Sequence, residues 1–192
     1  MINNSYTVNE PPYLFSGYMY LKEGNSFNTA LPSLSGIIGA IPLLFMNIDY
    51  PPIEEIEHPW DFSRNEWLFY GNNNPNNILF WARLPFILLG ILFGIYVFKW
   101  AKELYGTKKG LFSLFLYVFF PFSLAFTSFI LTDFLVAGFM FISLYYFWRL
   151  IKTNKKRNLI FSAIFYGLAI SSKTTALLLL PFLLIYLLFY KK

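Results

Sequence analysis

The sequence predicts an all-α integral membrane protein, a polytopic helical bundle of roughly 4–5 transmembrane helices. Of its 192 residues, 57% are hydrophobic and 22% are aromatic, which is more apolar surface than a soluble domain of this length can bury. Long apolar stretches alternate with basic runs in the second half, as membrane spans alternate with cytoplasmic loops. The first part is rich in Pro and Asn, which predicts an extracytoplasmic loop region with short membrane-parallel helices.

Charge is distributed unevenly along the chain. Residues 1–82 carry eight acids and two bases, whereas residues 83–192 carry two acids and thirteen bases. A basic chain can bind nucleic acid, but here the bases flank apolar spans. The positive-inside rule therefore explains them better, and no nucleic-acid partner is expected. The absence of cysteine excludes a disulfide framework, a thiolate metal site and a Cys nucleophile.

Residues 1–77 form the predicted extracytoplasmic region. Their apolar segment 34–46 is too short to cross a bilayer and predicts a re-entrant or interfacial helix. His58 lies close to Glu54, Glu55 and Glu57, but one His without a fixed ligand spacing is weak support for a metal site. An acidic, solvated loop is the favoured interpretation of that segment.

Residues 78–192 form the predicted transmembrane bundle. The first span, 78–98, requires Arg83 to reach the membrane interface by snorkelling. The lysine-rich segment 99–109 then belongs on the cytoplasmic side. The following span, 110–126, contains Pro121, which predicts a kink or a helix end.

The rest of the chain predicts further crossings. Residues 132–148 lead to the basic run 149–158, which is again expected in the cytoplasm. The final segment, 159–192, is too long for one ordinary span and is interrupted by the polar residues 171–175. A short helical hairpin with Lys173 near the outer surface is favoured, and a single tilted span is the alternative.

Asp133 is the only charged side chain between residues 110 and 148. Ionisable groups within membrane spans are costly and usually mark a functional site. The two basic loops place Asp133 near the outward turn, on the side of the acidic residues 1–82. An aspartate at a helix N-terminus, with Thr132 as a cap, also favours the helix dipole. A structural role and a functional role therefore both stay open.

The polar opening "MINNSYTVNEPP" contains no signal peptide to carry the outer region across the membrane. We therefore expect a first transmembrane helix to be supplied from outside these 192 residues.

Short motifs follow one another along the whole chain: Asn9-Glu10, "SGYMYLKEG" from Ser16, "LPSLSGIIGAIPLLF" from Leu31, Arg83-Leu84-Pro85, Tyr105-Gly106, Pro121, Thr132-Asp133, and "GLAISSKTTALLLLP" from Gly167. In this order they resemble the N-terminal part of a GT-C-class glycosyltransferase. That superfamily includes the protein O-mannosyltransferases and the aminoarabinose transferases that modify lipid A. The resemblance implies a GT-C-like N-terminal module, whose first helix and C-terminal half are expected from outside these 192 residues, for example from a neighbouring reading frame.

Three sites depart from the family pattern. Asn9 stands where the first loop usually has an Asp before the Glu, and Tyr13 stands where a His is common. Leu31-Pro32-Ser33 replaces a His-Pro-Pro turn. Because an Asn cannot accept a proton at neutral pH, Asn9 is a degenerate catalytic position.

The resemblance implies transfer of a sugar from a polyprenyl-phosphate donor to an extracytoplasmic hydroxyl or amine. A carboxylate must take the acceptor's proton, and positive charge must stabilise the departing phosphate. The implied catalytic residues are Glu10 and Asp133, and the implied donor-phosphate ligands are Lys173 and Arg83. A divalent cation between the two acids is the candidate cofactor, although two ligands do not specify a metal.

Two other classes of protein are alternatives to an active glycosyltransferase. The Asn9 substitution and the missing first helix and C-terminal half favour a non-catalytic remnant or partner subunit of such an enzyme, and the isolated chain is expected to transfer no sugar detectably. A channel or carrier fragment would instead use Asp133 and Lys173 as a charge pair in a pathway, but the long Pro-rich outer segment argues against it. The expected partners are the lipid-linked sugar donor and the bilayer of the cell membrane.

Overall fold

The computed structural model describes residues 10–24, 33–52, 55–56, 62–63 and 66–190. Within these ranges the regular secondary structure is helical, so the predicted all-α fold class is confirmed. The chain forms two compact units, Met1–Leu131 and Thr132–Lys192. The predicted division at residue 77 follows the membrane boundary and stays a prediction.

The first unit begins with two crossed helices, α1 (Glu10–Glu23) and α2 (Leu34–Ala40). A Cβ atom on Gly17 would overlap the carbonyl group of Gly36, so the two backbones touch where the helices cross. The short helix expected at 34–46 is confirmed, because α2 continues into a 3-10 turn at Ile41–Phe45.

The sequence alone does not predict α1. Its first residues, Glu10-Pro11-Pro12, are typical of a loop. Proline is nevertheless tolerated in the first turn of a helix, since the N–H groups there have no intrahelical partner. The helix is stabilised mainly by burial, with Leu14, Phe15 and Met19 at most 1% exposed.

The long helix α3 (Pro75–Tyr105) follows a 3-10 turn at Glu66–Phe69. Asn74 caps its start by accepting a hydrogen bond from the Asn77 N–H at 3.2 Å, and Pro75 occupies the first position. At 31 residues it measures about 46 Å, more than the hydrocarbon core of a bilayer requires. It ends at Gly106, whose φ of +85° lies in a region that favours glycine.

Two shorter helices, α4 (Thr107–Phe119) and α5 (Pro121–Thr127), complete the regular structure of the first unit. They are bent by 62° at Phe120–Pro121, so the predicted break at Pro121 is confirmed. The Tyr117 hydroxyl donates to the Gly90 carbonyl at 3.1 Å and ties α4 to α3.

The second unit is built on a helical hairpin of α6 (Thr132–Thr153) and α7 (Lys156–Ser172). Each of the buried hydroxyls of Ser143 and Ser162 donates to the other residue's carbonyl at 3.0 Å. Small residues with such hydrogen bonds let membrane helices approach closely. Asn154 closes the hairpin turn with φ 49°, a conformation that Asn adopts more readily than most residues.

The chain leaves α7 at Lys173 and continues through a 3-10 turn (Thr174–Leu178) into α8 (Leu179–Tyr190). The break predicted at 171–175 is therefore confirmed. The helical hairpin expected for this last segment stays a prediction.

The number of membrane spans is lower than expected. Within the described residues, α3 and α6 are long and apolar enough to cross a membrane, and the bent pair α4–α5 adds a third if it is one span. The expected number of roughly 4–5 is too high because α7 and α8, with 17 and 12 residues, each fall short of the ~20 residues that a span needs.

Candidate functional site

A fully buried ion pair joins Glu10 at the start of α1 to Arg83 inside α3. The Arg83 Nη2 atom lies 2.8 Å from Glu10 Oε2, and Arg83 Nε donates to Glu10 Oε1 at 3.1 Å. Their side chains are 0% and 3% exposed, respectively. The contact is bidentate, the geometry in which a guanidinium binds a carboxylate most strongly. Arg83 is therefore accommodated by pairing inside the protein and not by snorkelling to the interface.

The segment between α5 and α6 also contacts this pair. The backbone N–H of Ile130 donates to Glu10 Oε1 at 2.9 Å, and the Arg83 guanidinium lies 5.1 Å from the centre of the Phe129 ring. A buried ion pair needs such additional contacts to offset the desolvation of its charges. In this arrangement an acceptor hydroxyl reaches the Glu10 carboxylate only if the pair opens.

A second ion pair, in the other compact unit, is exposed. Lys173 Nζ lies 2.6 Å from Asp133 Oδ1, and the two side chains are 39% and 59% exposed. Asp133 is in the first turn of α6, as predicted, whereas Thr132 is the first residue of that helix and not the residue before it.

The backbone at Lys173 is held on both sides. Its φ and ψ of −159° and 135° are extended, its N–H donates to the Ala169 carbonyl at 3.1 Å, and its own carbonyl accepts from the Ala176 N–H at 3.1 Å. The chain therefore leaves the helix at a fixed point, from which the Lys173 side chain reaches Asp133.

The predicted site residues thus form two acid–base pairs, Glu10 with Arg83 and Asp133 with Lys173. The catalytic and phosphate-binding roles predicted for them stay predictions, and so does the approach of Glu10 to Asp133, which belong to different units. Asn9 and His58 lie outside the described residues. Among the residues that are described, no three His, Asp or Glu side chains form a group that could hold a metal ion.

Sequence reasoning missed a polar and aromatic cluster at the end of α1. The Lys22 ammonium donates to the Tyr18 hydroxyl at 3.1 Å and lies 4.7 Å from the centre of the Tyr50 ring, whose hydroxyl donates to Glu23 at 3.1 Å. The Tyr18 contact raises the pKa of Lys22, and burial raises the pKa of Tyr50. No periodic signal links residue 50 to α1, so only the fold reveals the cluster.

A cavity of about 480 Å³ lies between α3, α4 and α5 within the first unit. Its described lining is almost entirely apolar and includes Ile87, Ile91, Phe98, Leu114 and Val118. None of the predicted site residues is among the described residues of that lining, so the cavity does not identify the polar site.

Residues 76–192 match the model of the family described as dolichyl-phosphate-mannose-protein mannosyltransferase. The matched region contains Arg83, Asp133 and Lys173, whereas Glu10 precedes it. Comparisons with curated proteins and with solved structures find no match.

Proposed function

Because its match covers well over half of the sequence, the chain belongs to the dolichyl-phosphate-mannose-protein mannosyltransferase family, and on that premise we propose that it acts in sugar transfer from a polyprenyl-phosphate donor to an extracytoplasmic acceptor. It is a membrane protein of a glycosyltransferase family. The observation that carries the proposal is the exposed Asp133–Lys173 pair, an acid and a base 2.6 Å apart within the matched region.

The two groups have complementary roles in such a reaction. The acceptor oxygen attacks the anomeric carbon of the sugar, and the bond from that carbon to the phosphate oxygen breaks. Asp133 takes the proton that the acceptor loses, as a general base. Lys173 stabilises the negative charge that the departing polyprenyl phosphate gains, because a compact ammonium group binds phosphate oxygens well.

Glu10 and Arg83 have a supporting role in this proposal. Their pairing, with its additional hydrogen bond from Ile130, fixes α1 against α3 and against the segment that follows α5. Direct action of Glu10 as the base, or of Arg83 on the phosphate, stays a prediction that requires the buried pair to open.

The proposed topology places residues 1–77 and Asp133 outside the cell, with residues 99–109 and 149–158 in the cytoplasm, in a multi-pass arrangement. Because the chain has no cysteine, single cysteines can be introduced as reporters. We expect Asn72→Cys to react with a membrane-impermeant thiol reagent in intact cells, and Lys156→Cys to react only after permeabilisation. Both positions are exposed, and Lys156 is preferable to Asn154 because it avoids a positive φ. Labelling of position 156 but not of position 72 in intact cells would show that the orientation is opposite to the proposed one.

The function is tested by transfer of a radiolabelled sugar from a polyprenyl-phosphate donor in membranes that contain the chain. Lys173→Gln should raise KM for the donor by about ten- to hundredfold, since a hydrogen bond to a charged group contributes about 1.5–3 kcal/mol. Lys156→Gln removes the same charge from an exposed position of α7 and should leave KM unchanged.

Transfer that is absent both from the unmodified chain and from the chain completed with a first helix and a C-terminal half would contradict the proposed activity. Donor binding without transfer would instead favour a non-catalytic partner subunit. Equal KM values for the unmodified chain and Lys173→Gln would exclude Lys173 as a phosphate ligand.

A further inference from the structure

The register of the α6–α7 hairpin brings Asp133 and Lys173 together. Ser143 and Ser162 face each other through their reciprocal hydrogen bonds. Asp133 precedes Ser143 by ten residues, and Ser172 follows Ser162 by ten, so both lie roughly 15 Å along their helices from that contact. Lys173 is the next residue. The pair is therefore positioned by the hairpin itself.

Neither Asp133 nor Lys173 uses all of its hydrogen-bond donors or acceptors in this ion pair. An ammonium group has three donors and a carboxylate has about four acceptor positions. Among the described residues, the single contact between Nζ and Oδ1 is the only side-chain hydrogen bond that either group makes. Water can also reach both, because they are 39% and 59% exposed.

The other ion pair provides an internal contrast. Glu10 and Arg83 are bidentate, receive an additional N–H from Ile130 and are closed to solvent. Opening that pair would expose two charges to a poorly solvating interior. An exposed pair held by one contact contributes little net stability, because water and salt compete with it. Asp133 and Lys173 thus form an exchangeable pair, whereas Glu10 and Arg83 do not.

We propose that Asp133 is a temporary counter-ion of Lys173, which the phosphate group of a lipid-linked donor displaces when it binds. The inference rests on the proposed function and adds an order of events to it. The donor's phosphate diester carries the same single negative charge as the carboxylate and offers the ammonium group two unesterified oxygens, whereas the ion pair holds it through one oxygen. Once Lys173 is bound to phosphate, the Asp133 carboxylate is released and is free to accept a proton. Donor binding therefore makes the base available.

The exchange predicts that removing Asp133 strengthens phosphate binding. The experiment measures binding of a sugar-free polyprenyl monophosphate to the full chain in nanodiscs, with the corresponding polyprenol as the phosphate-free control. Asp133→Asn should bind the phosphate about two- to fivefold more tightly than the unmodified chain, the range expected for loss of a weak exposed pair. Lys173→Gln should bind it no better than the polyprenol, and the double variant should match Lys173→Gln.

Two further variants test whether the effect of Asp133→Asn is specific to the loss of the carboxylate at this position. Asp133→Glu keeps the carboxylate and should keep the unmodified affinity. Glu66→Gln removes one negative charge from an exposed 3-10 turn of the other unit and should also leave affinity unchanged. Circular dichroism of each variant establishes that the helices are retained.

Unchanged or weaker binding by Asp133→Asn would overturn the exchange, and weaker binding would indicate that Asp133 holds the phosphate through a cation. If Asp133→Asn does not bind the phosphate more tightly but the unmodified chain transfers sugar, the exchange is wrong. The proposed function would then still stand. Failure of the unmodified chain to distinguish polyprenyl phosphate from polyprenol would overturn both.

Discussion

Asp133→Asn is expected to lower the rate of sugar transfer by about 10²–10⁴-fold, the usual contribution of a general base. The substitution keeps the size of the side chain but removes its ability to accept a proton. It should leave the fold intact, because the carboxylate is 59% exposed and its ion pair contributes little stability. The measurement is the single-turnover rate of radiolabelled-sugar transfer at saturating donor, which separates chemistry from donor binding.

The matched control for this rate is Glu66→Gln, which removes an exposed acid outside the site. Its rate should equal that of the unmodified chain. If Asp133→Asn lowers the rate by less than about tenfold, another group accepts the acceptor's proton. Glu10 would then be the next candidate for the general base. Tighter phosphate binding together with slower transfer is the combined signature of a base that also serves as a counter-ion.

Arg83→Met should destabilise the protein by about 3–5 kcal/mol, because it removes the guanidinium that forms a bidentate ion pair with the buried Glu10 carboxylate. The loss should be visible as a lower unfolding temperature of the purified protein in detergent. Replacing both residues, as in Glu10→Gln with Arg83→Met, should be milder than Arg83→Met alone, since both charges of the pair are then removed from the interior.

Lys173→Met is the comparison for this experiment, because it breaks the exposed ion pair and should cost at most about 1 kcal/mol. Equal stability losses in Arg83→Met and Lys173→Met would contradict the distinction between the two pairs. A double variant less stable than Arg83→Met would show that the buried charge of Glu10 is not the main source of the stability loss.

Features that depend on neighbouring residues could be predicted from the amino-acid sequence. Hydropathy over about 20 residues identified the apolar segments of α3 and α6, since a span must match the thickness of the bilayer. Proline at position 121 predicted a helix break, because its ring and its missing N–H act locally. The polar residues around Lys173 likewise marked the end of α7. The order of short motifs indicated the glycosyltransferase family, which the match over residues 76–192 then supported.

The pairing of the charged residues depends on how the helices pack. Glu10 pairs with Arg83 across 73 residues and accepts from Ile130 across 120, and Lys173 meets Asp133 across 40. No local pattern encodes such pairings, because they arise when helices pack and bring distant residues to one point. Burial of the first pair and exposure of the second follow from the same packing. Composition alone does not distinguish these four charged residues. Helix packing makes one pair buried and structural and leaves the other exposed and exchangeable.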